Sequence, residues 1–225
     1  MSRIAALLLC VSILLPATVW AGPEEEEKLA QAVAVLDKLM LVPEQSIPEA
    51  LLRDAHAVAV VPNVFKAALV FGGRRGTGVI SVRRADGTWS HPSFMALTGG
   101  SFGFQAGLQS SDVILVFRTQ RGVDNIIRGK FTLGADASVA AGPVGRNAQA
   151  STDEQLKAEI YAWSRARGLF AGVALDGAVL NVDHDANAAV YGPETTPRAV
   201  FEGRVERGSE QVVDFRDRLE EYSSR

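Results

Sequence analysis

The spacing of apolar residues changes along this chain. Between residues 24 and 41 they recur every three or four positions, which predicts an amphipathic helix that ends before Pro43. Its first turn carries four glutamates, whose carboxylates stabilise the positive end of the helix dipole. A second, short helix is predicted from Ile47-Pro48 to residue 55, because proline is tolerated in a first helical turn.

From residue 57 onward, short apolar runs separated by turn residues predict strands. Ala85-Asp86-Gly87 is the strongest hairpin signal, because Asp-Gly between two β-rich runs matches a common tight turn. Asp176-Gly177 predicts a second hairpin, between residues 169–175 and 178–183. Pro62-Asn63 is expected to end the first strand and Gly72-Gly73 the second. The segments predicted to be extended are 57–61, 67–71, 78–84, 88–95, 112–119 and 131–141.

Two further helices are predicted in the C-terminal half. Thr152 and Gln155 form a capping box and Gly168 supplies a terminating glycine, which indicates a helix between them. Its apolar face is predicted to carry Leu156, Ile160 and either Trp163 or Tyr161. Residues 209–222 form a second amphipathic pattern, and the chain between residue 193 and this helix is polar.

The centre of the chain, residues 89–107, combines glycine with phenylalanine. Glycine at this density weakens helices and strands unless the backbone bends or approaches another closely. We therefore expect a bent strand pair in the core, with Phe102, Phe104, Phe131, Leu133 and Phe170 buried. The fold class predicted is α+β: N-terminal helices packed on a glycine-rich, mostly antiparallel bent sheet or barrel, with one inserted helix and a C-terminal helix.

The first 21 residues have the pattern of a signal peptide. Arg3 precedes an apolar stretch over residues 4–15, and Val19-Trp20-Ala21 is similar to a cleavage site. A membrane anchor is the alternative, because residues 4–21 carry no charge, but Pro16 and the glutamates after Pro23 favour cleavage. We expect an exported protein, periplasmic or secreted and peripherally associated with membrane, with a single domain over residues 22–225.

Charge and cysteine content narrow the function. Removing residues 1–21 removes one arginine and the single cysteine, leaving 22 basic and 26 acidic residues, a net charge of −4. A chain without cysteine has neither disulfides nor thiol catalysis. Its mild acidity argues against nonspecific nucleic-acid binding, and no nucleic-acid partner is expected.

Two motifs resemble catalytic or metal sites. Gly99-Gly100-Ser101-Phe102-Gly103 matches G-x-S-x-G, and Asp176 and His184 follow in the order of a hydrolase triad. The residues after it are a poor helix start, although the motif requires a strand, a turn and a helix, so we expect no enzyme. Asp183-His184-Asp185 has no further donors nearby, so neither a metal nor a cofactor is predicted.

Basic residues are concentrated in two stretches, residues 66–84 and residues 118–130, the second of which is broken only by Asp124. Residues 66–84 hold five cations and no carboxylate, and Gly72-Gly73-Arg74-Arg75-Gly76 is suited to bind an anion through backbone N–H groups and guanidinium groups. Alternating with buried strands, the two stretches predict a surface that meets lipid phosphates. The alternative is that these charges only solvate loop ends. The residues predicted to bind lipid are Lys66, Arg74, Arg75, Arg83, Arg84, Arg118 and Arg121.

Several segments together resemble the SYLF domain family from about residue 51 to 192. They are AVAVVPN at 57–63, FGGRRGTG at 71–78, WSHPSF at 89–94, GGSFGFQAG at 99–107, SDVILV at 111–116, FTLGADASVAAGPVGR at 131–146 and GLFAGVALDG at 168–177, closed by Tyr191-Gly192. The resemblance implies phospholipid binding, with phosphoinositides in eukaryotic members, and no established enzyme activity. It implies actin binding in some members, which we do not expect of an exported chain without an SH3 domain. It fixes no lipid-contacting residues.

The function predicted is an exported, noncatalytic phospholipid-binding protein that docks on anionic head groups or a membrane surface. The alternative is an envelope structural or interaction protein that self-associates without lipid. Docking at the surface and enclosure of an acyl chain in a barrel both stay open, as does the oligomeric state.

Overall fold

The computed structural model describes residues 22–43, 45–68, 71–102, 107–129, 131–143, 157–166, 169–173, 175–205 and 208–224. Its helices are α1 Pro23–Met40, α2 Glu49–Arg53, α3 Gln120–Ile127, α4 His184–Tyr191, α5 Pro197–Phe201 and α6 Glu210–Ser223. Its strands are β1 Ala57–Ala68, β2 Phe71–Val82, β3 Ser93–Phe102, β4 Gly107–Phe117, β5 Phe131–Thr132, β6 Val139–Ala141, β7 Ile160–Ala166, β8 Leu169–Gly172 and β9 Val179–Val182.

The strands form one curled sheet. Their order is β5-β9-β3-β2-β1-β4-β7-β6, with β8 paired to β7. Every named pairing is antiparallel except that between β6 and β7. The sheet curls into a half-barrel, and the predicted α+β class is confirmed.

The two faces of the sheet bury two separate apolar clusters. Along β1, Val58 and Val60 contribute to the cluster beneath α1, α2, α4 and α6, whereas Ala57, Ala59 and Val61 contribute to the cluster inside the curl. This alternation follows from the period of two along a strand. We call the side of the sheet covered by helices the outer face, and the side inside the curl the inner face.

The sequence predicts that the first strand ends at Pro62-Asn63, and this prediction is wrong. The strand continues to Ala68 through a bulge, which leaves one extra residue on β1 relative to both β2 and β4. Asn63 lies in the left-handed region, with φ 50°, and its N–H donates to Asp112 Oδ1 at 3.1 Å. Its side chain also donates to Gln31 Oε1 of α1 at 3.2 Å. A bulge tolerates proline because the bulged residue does not need a ladder hydrogen bond.

The two Asp-Gly turns have different outcomes. The hairpin at Asp86-Gly87 is confirmed: Arg83 pairs with Trp89 and β2 pairs with β3. The hairpin around Asp176-Gly177 is wrong, because β8 pairs with β7 and β9 pairs with β3 and β5. A turn is present there, with Gly177 at φ +75°, but the flanking strands diverge. Asp-Gly fixes a turn, whereas pairing depends on the rest of the sheet.

The helix predicted between Thr152 and Gly168 is wrong over β7, where the chain is extended. Ile160 and Ala162 face the inner cluster and Trp163 the outer one, so the true period is two. Both ends of that prediction lie outside the described residues. The helix inserted within the sheet is instead α3, which follows β4 directly.

The predicted strand pair around the central glycines is also wrong, because β3 pairs with β2 and β9 while β4 pairs with β1 and β7. Phe131, Leu133 and Phe170 are buried as expected. The side chains of Phe102 and Phe104 lie outside the described residues.

The first and last helices pack on each other, and both were predicted. Tyr222 Oη of α6 donates to Asp37 Oδ1 of α1 at 2.6 Å. Trp89 joins them to the sheet, donating from its backbone to Glu220 and from its indole to Ser223 Oγ at 3.0 Å. Within the described part of the chain, no helix is long and apolar enough to cross a membrane.

Candidate functional site

The structure separates the seven predicted lipid-binding residues into two groups at opposite ends of the sheet. Lys66, Arg74 and Arg75 lie where β1 ends and β2 begins. Arg83, Arg84, Arg118 and Arg121 lie at the other end, where Ala57 is opposite both Val82 and Phe117. At about 3.3 Å per residue, these ends are roughly 30 Å apart along β1. The predicted residues therefore do not form one patch.

We call the first end the sheet tip: residues 64–68 of β1, 71–76 of β2, 97–102 of β3 and 107–111 of β4. There, Lys66 is opposite Arg74 and Gln109, while Phe65 is opposite Arg75 and Ser110. Because opposite residues share a face, the inner face of the tip carries Lys66 and Arg74, and the outer face carries Phe65 and Arg75. The bulge at Asn63 shifts the alternation by one residue and so sends Phe65 to the outer face.

Arg74 is a half-buried cation of the sheet tip. Its Nε is buried and has no hydrogen-bond partner among the described residues. Gly99 gives its stem room, because a Cβ there would lie 3.3 Å from Arg74 Cγ and 3.2 Å from Ala178 Cα. Burial lowers the pKa of Arg74. A partly desolvated guanidinium group without a carboxylate partner is suited to bind an anion from outside the chain.

Two large apolar side chains are exposed at the sheet tip. Phe65 is 48% exposed and Leu108 is 77% exposed. Leu108 is opposite Ala67, so it shares the outer face with Phe65 and Arg75. The four strand segments of the tip contain no Asp or Glu. The tip therefore combines cations with exposed apolar surface and has no carboxylate of its own.

Arg83, by contrast, is bound within the protein. Its guanidinium group donates to the carbonyls of Ala55 at 3.0 Å, Leu52 at 3.0 Å and Gly87 at 2.9 Å. It also lies over the Trp89 ring, 4.5 Å from the centroid. Burial lowers the pKa of Arg83, against the opposing charges of Glu220 and Asp54. These contacts tie α2 to the hairpin and leave this arginine little freedom to meet a lipid.

The other three residues of this end have different surroundings. Arg84 is half-buried against Gly203, and its Nε has no partner among the described residues. Arg118 is half-buried, and its backbone N–H donates to Glu159 at 2.8 Å. Arg121 is exposed on α3.

The sequence motifs for catalysis and metal binding have structural explanations. Ser101 lies within β3, opposite Gly72, so the backbone at this residue is an extended strand and not a nucleophile turn. Asp183 caps α4, its Oδ1 accepting from the N–H of Ala186 at 3.1 Å. Among the described residues, no three His, Cys, Asp or Glu side chains are placed to hold a metal.

Comparison with known proteins identifies the family. The family model Ysc84, described as Las17-binding protein actin regulator, matches residues 98–222, more than half of the chain. The chain belongs to the SYLF (Ysc84) family. This SYLF chain is 37% identical over 165 residues to LAS seventeen-binding protein 3 of Saccharomyces cerevisiae, covering 72% of the chain and 36% of the relative. It is 30% identical over 184 residues to human SH3 domain-containing YSC84-like protein 1, covering 81% of the chain and 53% of the relative.

The SYLF match therefore covers a part of each relative. The chain spans about a third of the yeast protein and about half of the human protein. The names of both relatives describe binding or an accompanying domain and not a reaction.

Sequence reasoning missed the apolar members of the sheet tip. Phe65 and Leu108 look like ordinary strand residues, and simple alternation from Ala57 places Phe65 on the buried inner face. The available signal was Pro62-Asn63, since proline within an apolar run is typical of a bulge as well as of a strand end. Read as a bulge, it predicts the change of face.

Proposed function

We propose that this chain is a noncatalytic, peripheral phospholipid-binding protein that docks through its sheet tip on anionic head groups. Lys66, Arg74 and Arg75 meet the phosphates, and Phe65 and Leu108 enter the interfacial region. The observation that carries the proposal is the combination of three cations and two exposed apolar side chains on strand segments that contain no carboxylate. Peripheral membrane sites combine these two features.

The expected strength of docking follows from these residues. A lysine or arginine near an anionic surface contributes about 1 kcal/mol, so three contribute about 3 kcal/mol, or roughly a hundredfold in affinity. This contribution decreases with salt, because exposed charges are screened over about 8–10 Å at 0.1–0.15 M ionic strength. Partial burial of the Phe65 and Leu108 side chains adds an apolar term that salt does not weaken.

Two further parts of the proposal rest on other grounds. Export to a periplasm or the cell exterior rests on the signal-peptide pattern of residues 1–21. The absence of catalysis rests on Ser101 lying within a strand and on the relatives' names. Binding of a Las17-like protein is not part of the proposal, because the chain matches about a third of the yeast relative.

Vesicle co-sedimentation tests the proposal on the protein that begins at Gly22, which contains every described element. We expect binding to vesicles with anionic phospholipid, little binding to neutral phosphatidylcholine vesicles, and release at high salt. The triple variant Lys66→Gln/Arg74→Gln/Arg75→Gln should lose about a hundredfold in affinity. A matched triple, Arg121→Gln/Arg128→Gln/Lys157→Gln, removes the same charge from exposed residues elsewhere and should stay within threefold.

Equal losses in the two triples would show that only net charge matters and would refute the tip assignment. Phe65→Ser/Leu108→Ser is expected to weaken binding without changing its salt dependence. Unchanged affinity in this double variant would remove the apolar part of the proposal.

Self-association remains a second candidate function, favoured by one observation. Of strand β4, only residues 112–117 pair with β7. Among the described strands, the segment 107–111, which contains the exposed Leu108, therefore pairs with β1 on one side and is unpaired on the other. Unpaired strand edges promote association between chains. A stable oligomer in sedimentation velocity that Leu108→Ser dissociates, together with no vesicle binding, would favour this function over lipid docking.

A further inference from the structure

A cleft of about 820 Å³ lies at the opposite end of the sheet from the tip. It is bounded by the junction of α2 and β1, by the turn between β2 and β3, by α3 and by α5. Its volume is within the roughly 300–1,000 Å³ that is typical of small-molecule sites. The proposed lipid docking uses none of its lining residues.

The floor of the cleft is apolar. Val82, Val123 and Phe201 line it, and each is otherwise buried in the inner cluster of the sheet. Ile127 of α3, partly buried, extends the same surface. A floor of this kind accepts the hydrocarbon part of a ligand.

The carboxylates that line the cleft are mostly engaged. Asp86 accepts from the backbone N–H and hydroxyl of Thr88 at 2.9 and 2.7 Å, and these bonds lower the pKa of Asp86. Glu202 pairs with Arg204 at 2.7 Å, and Asp124 accepts from Gln120 at 3.3 Å. The fourth, Asp54, is exposed and lies towards Arg83.

Two of the three lining arginines are not engaged in this way. Arg83 is held by three carbonyls, whereas the guanidinium groups of Arg84 and Arg198 have neither a hydrogen bond nor a close ion pair with any described residue. The charge of Asp86 acts on Arg84 without a direct bond between them. The guanidinium group of Arg84 lies over Gly203, where a Cβ would be 3.1 Å from its Nη1. Arg198 lies on α5, so both cations are at the side of the cleft formed by α5 and the residues that follow it.

We propose that this cleft binds one single-chain amphiphile with an anionic head, such as an alkyl phosphate or alkyl carboxylate. The head lies between Arg84 and Arg198, where two cations lack an acceptor, and the chain covers Val123, Ile127 and Phe201. The head is anionic because the engaged carboxylates leave these arginines as the groups in need of a partner. The site is independent of docking at the sheet tip.

Methyl NMR and calorimetry test this proposal with decyl phosphate and decanoate below their critical micelle concentrations. We expect both to shift the methyl signals of Val123 and Ile127, and inorganic phosphate or decanol to bind at least tenfold more weakly. Arg84→Gln/Arg198→Gln should lower decyl phosphate affinity at least tenfold, whereas Arg121→Gln/Arg128→Gln, also near α3 but not lining the cleft, should not. Arg198→Gln alone, at an exposed position, should retain the fold and lower affinity about threefold.

Three results would overturn the assignment: methyl shifts confined to Leu108 of the sheet tip, equal binding of decyltrimethylammonium, or unchanged affinity in the folded double variant. The tip variant Lys66→Gln/Arg74→Gln/Arg75→Gln should bind decyl phosphate normally while failing on vesicles. The two sites can therefore fail or succeed separately.

Discussion

Arg75 lies within β2 and Arg83 directly follows it. The structure predicts that loss of Arg83 lowers the stability of the fold, whereas loss of Arg75 lowers lipid binding. In Arg83→Met the apolar stem is kept and three hydrogen bonds to carbonyls are removed. Such bonds contribute up to about 1.5–3 kcal/mol each, and we take about 1 kcal/mol each because the arginine is half-buried. The stabilisation lost with the cation–π contact to Trp89 is offset because the desolvation cost of the half-buried guanidinium group is also removed. Arg83→Met should therefore destabilise the fold by about 3 kcal/mol.

Urea denaturation followed by tryptophan fluorescence measures this loss. With a slope of roughly 2–3 kcal/mol per molar for a domain of this size, the midpoint should fall by about 1 M. The melting temperature should fall by about 6–12 °C. Arg75→Met, at an exposed position, should change stability by less than about 0.5 kcal/mol and should lower affinity for anionic vesicles by several-fold.

The two variants thus separate a structural arginine from a docking arginine. Folded Arg83→Met protein should bind anionic vesicles like the wild type. The reasoning is refuted if Arg83→Met leaves the urea midpoint unchanged, or if it abolishes vesicle binding at full stability.

Three other predictions follow from contacts within the fold. Gly78→Ala should cost more than about 2 kcal/mol in urea denaturation, because its Cβ would lie 2.6 Å from Val61 Cα at the β1 bulge. Tyr222→Phe should flatten the alkaline limb of the stability curve. Burial, and then donation to Asp37, raise the pKa of Tyr222 to about 12, so its contribution to stability is complete below pH 10 and lost between pH 10 and 12. Asp183→Ala should cost about 1 kcal/mol in thermal denaturation, through loss of the α4 cap.

Each of these has a control from the same region. Gly73→Ala, whose Cβ would meet nothing nearer than 4.0 Å, should cost less than Gly78→Ala, and equal costs would exclude crowding as the cause. A wild type and a Tyr222→Phe variant with the same dependence on pH between 10 and 12 would show that this tyrosine does not titrate as argued. The capping bond of α4 is made by Asp183 and not by Asp185, so Asp185→Ala should be nearly neutral. A loss equal to that of Asp183→Ala would contradict the capping role.

Most local elements could be predicted from the sequence, and the reasons are local. The glutamate-led apolar stripe of α1, the pattern of α6 and the Asp86-Gly87 turn each depend on residues within a few positions of one another. The helix predicted up to Gly168 failed because Ile160 and Trp163 fit either a helical face or the alternation of a strand. Pairing with β4 selected the strand.

The sequence by itself determined the family, the fold class and the fact that cations are concentrated in two stretches, because these depend on composition, period and motif. Only the tertiary structure decided which cations act together. Strand register placed Lys66, Arg74 and Arg75 at one end and Arg83 at the other, where carbonyls of α2 and the hairpin hold it. One bulged residue then turned Phe65 outward beside Leu108. Strand register and bulges depend on partner strands that are distant in the chain, so they cannot be predicted from neighbouring residues alone.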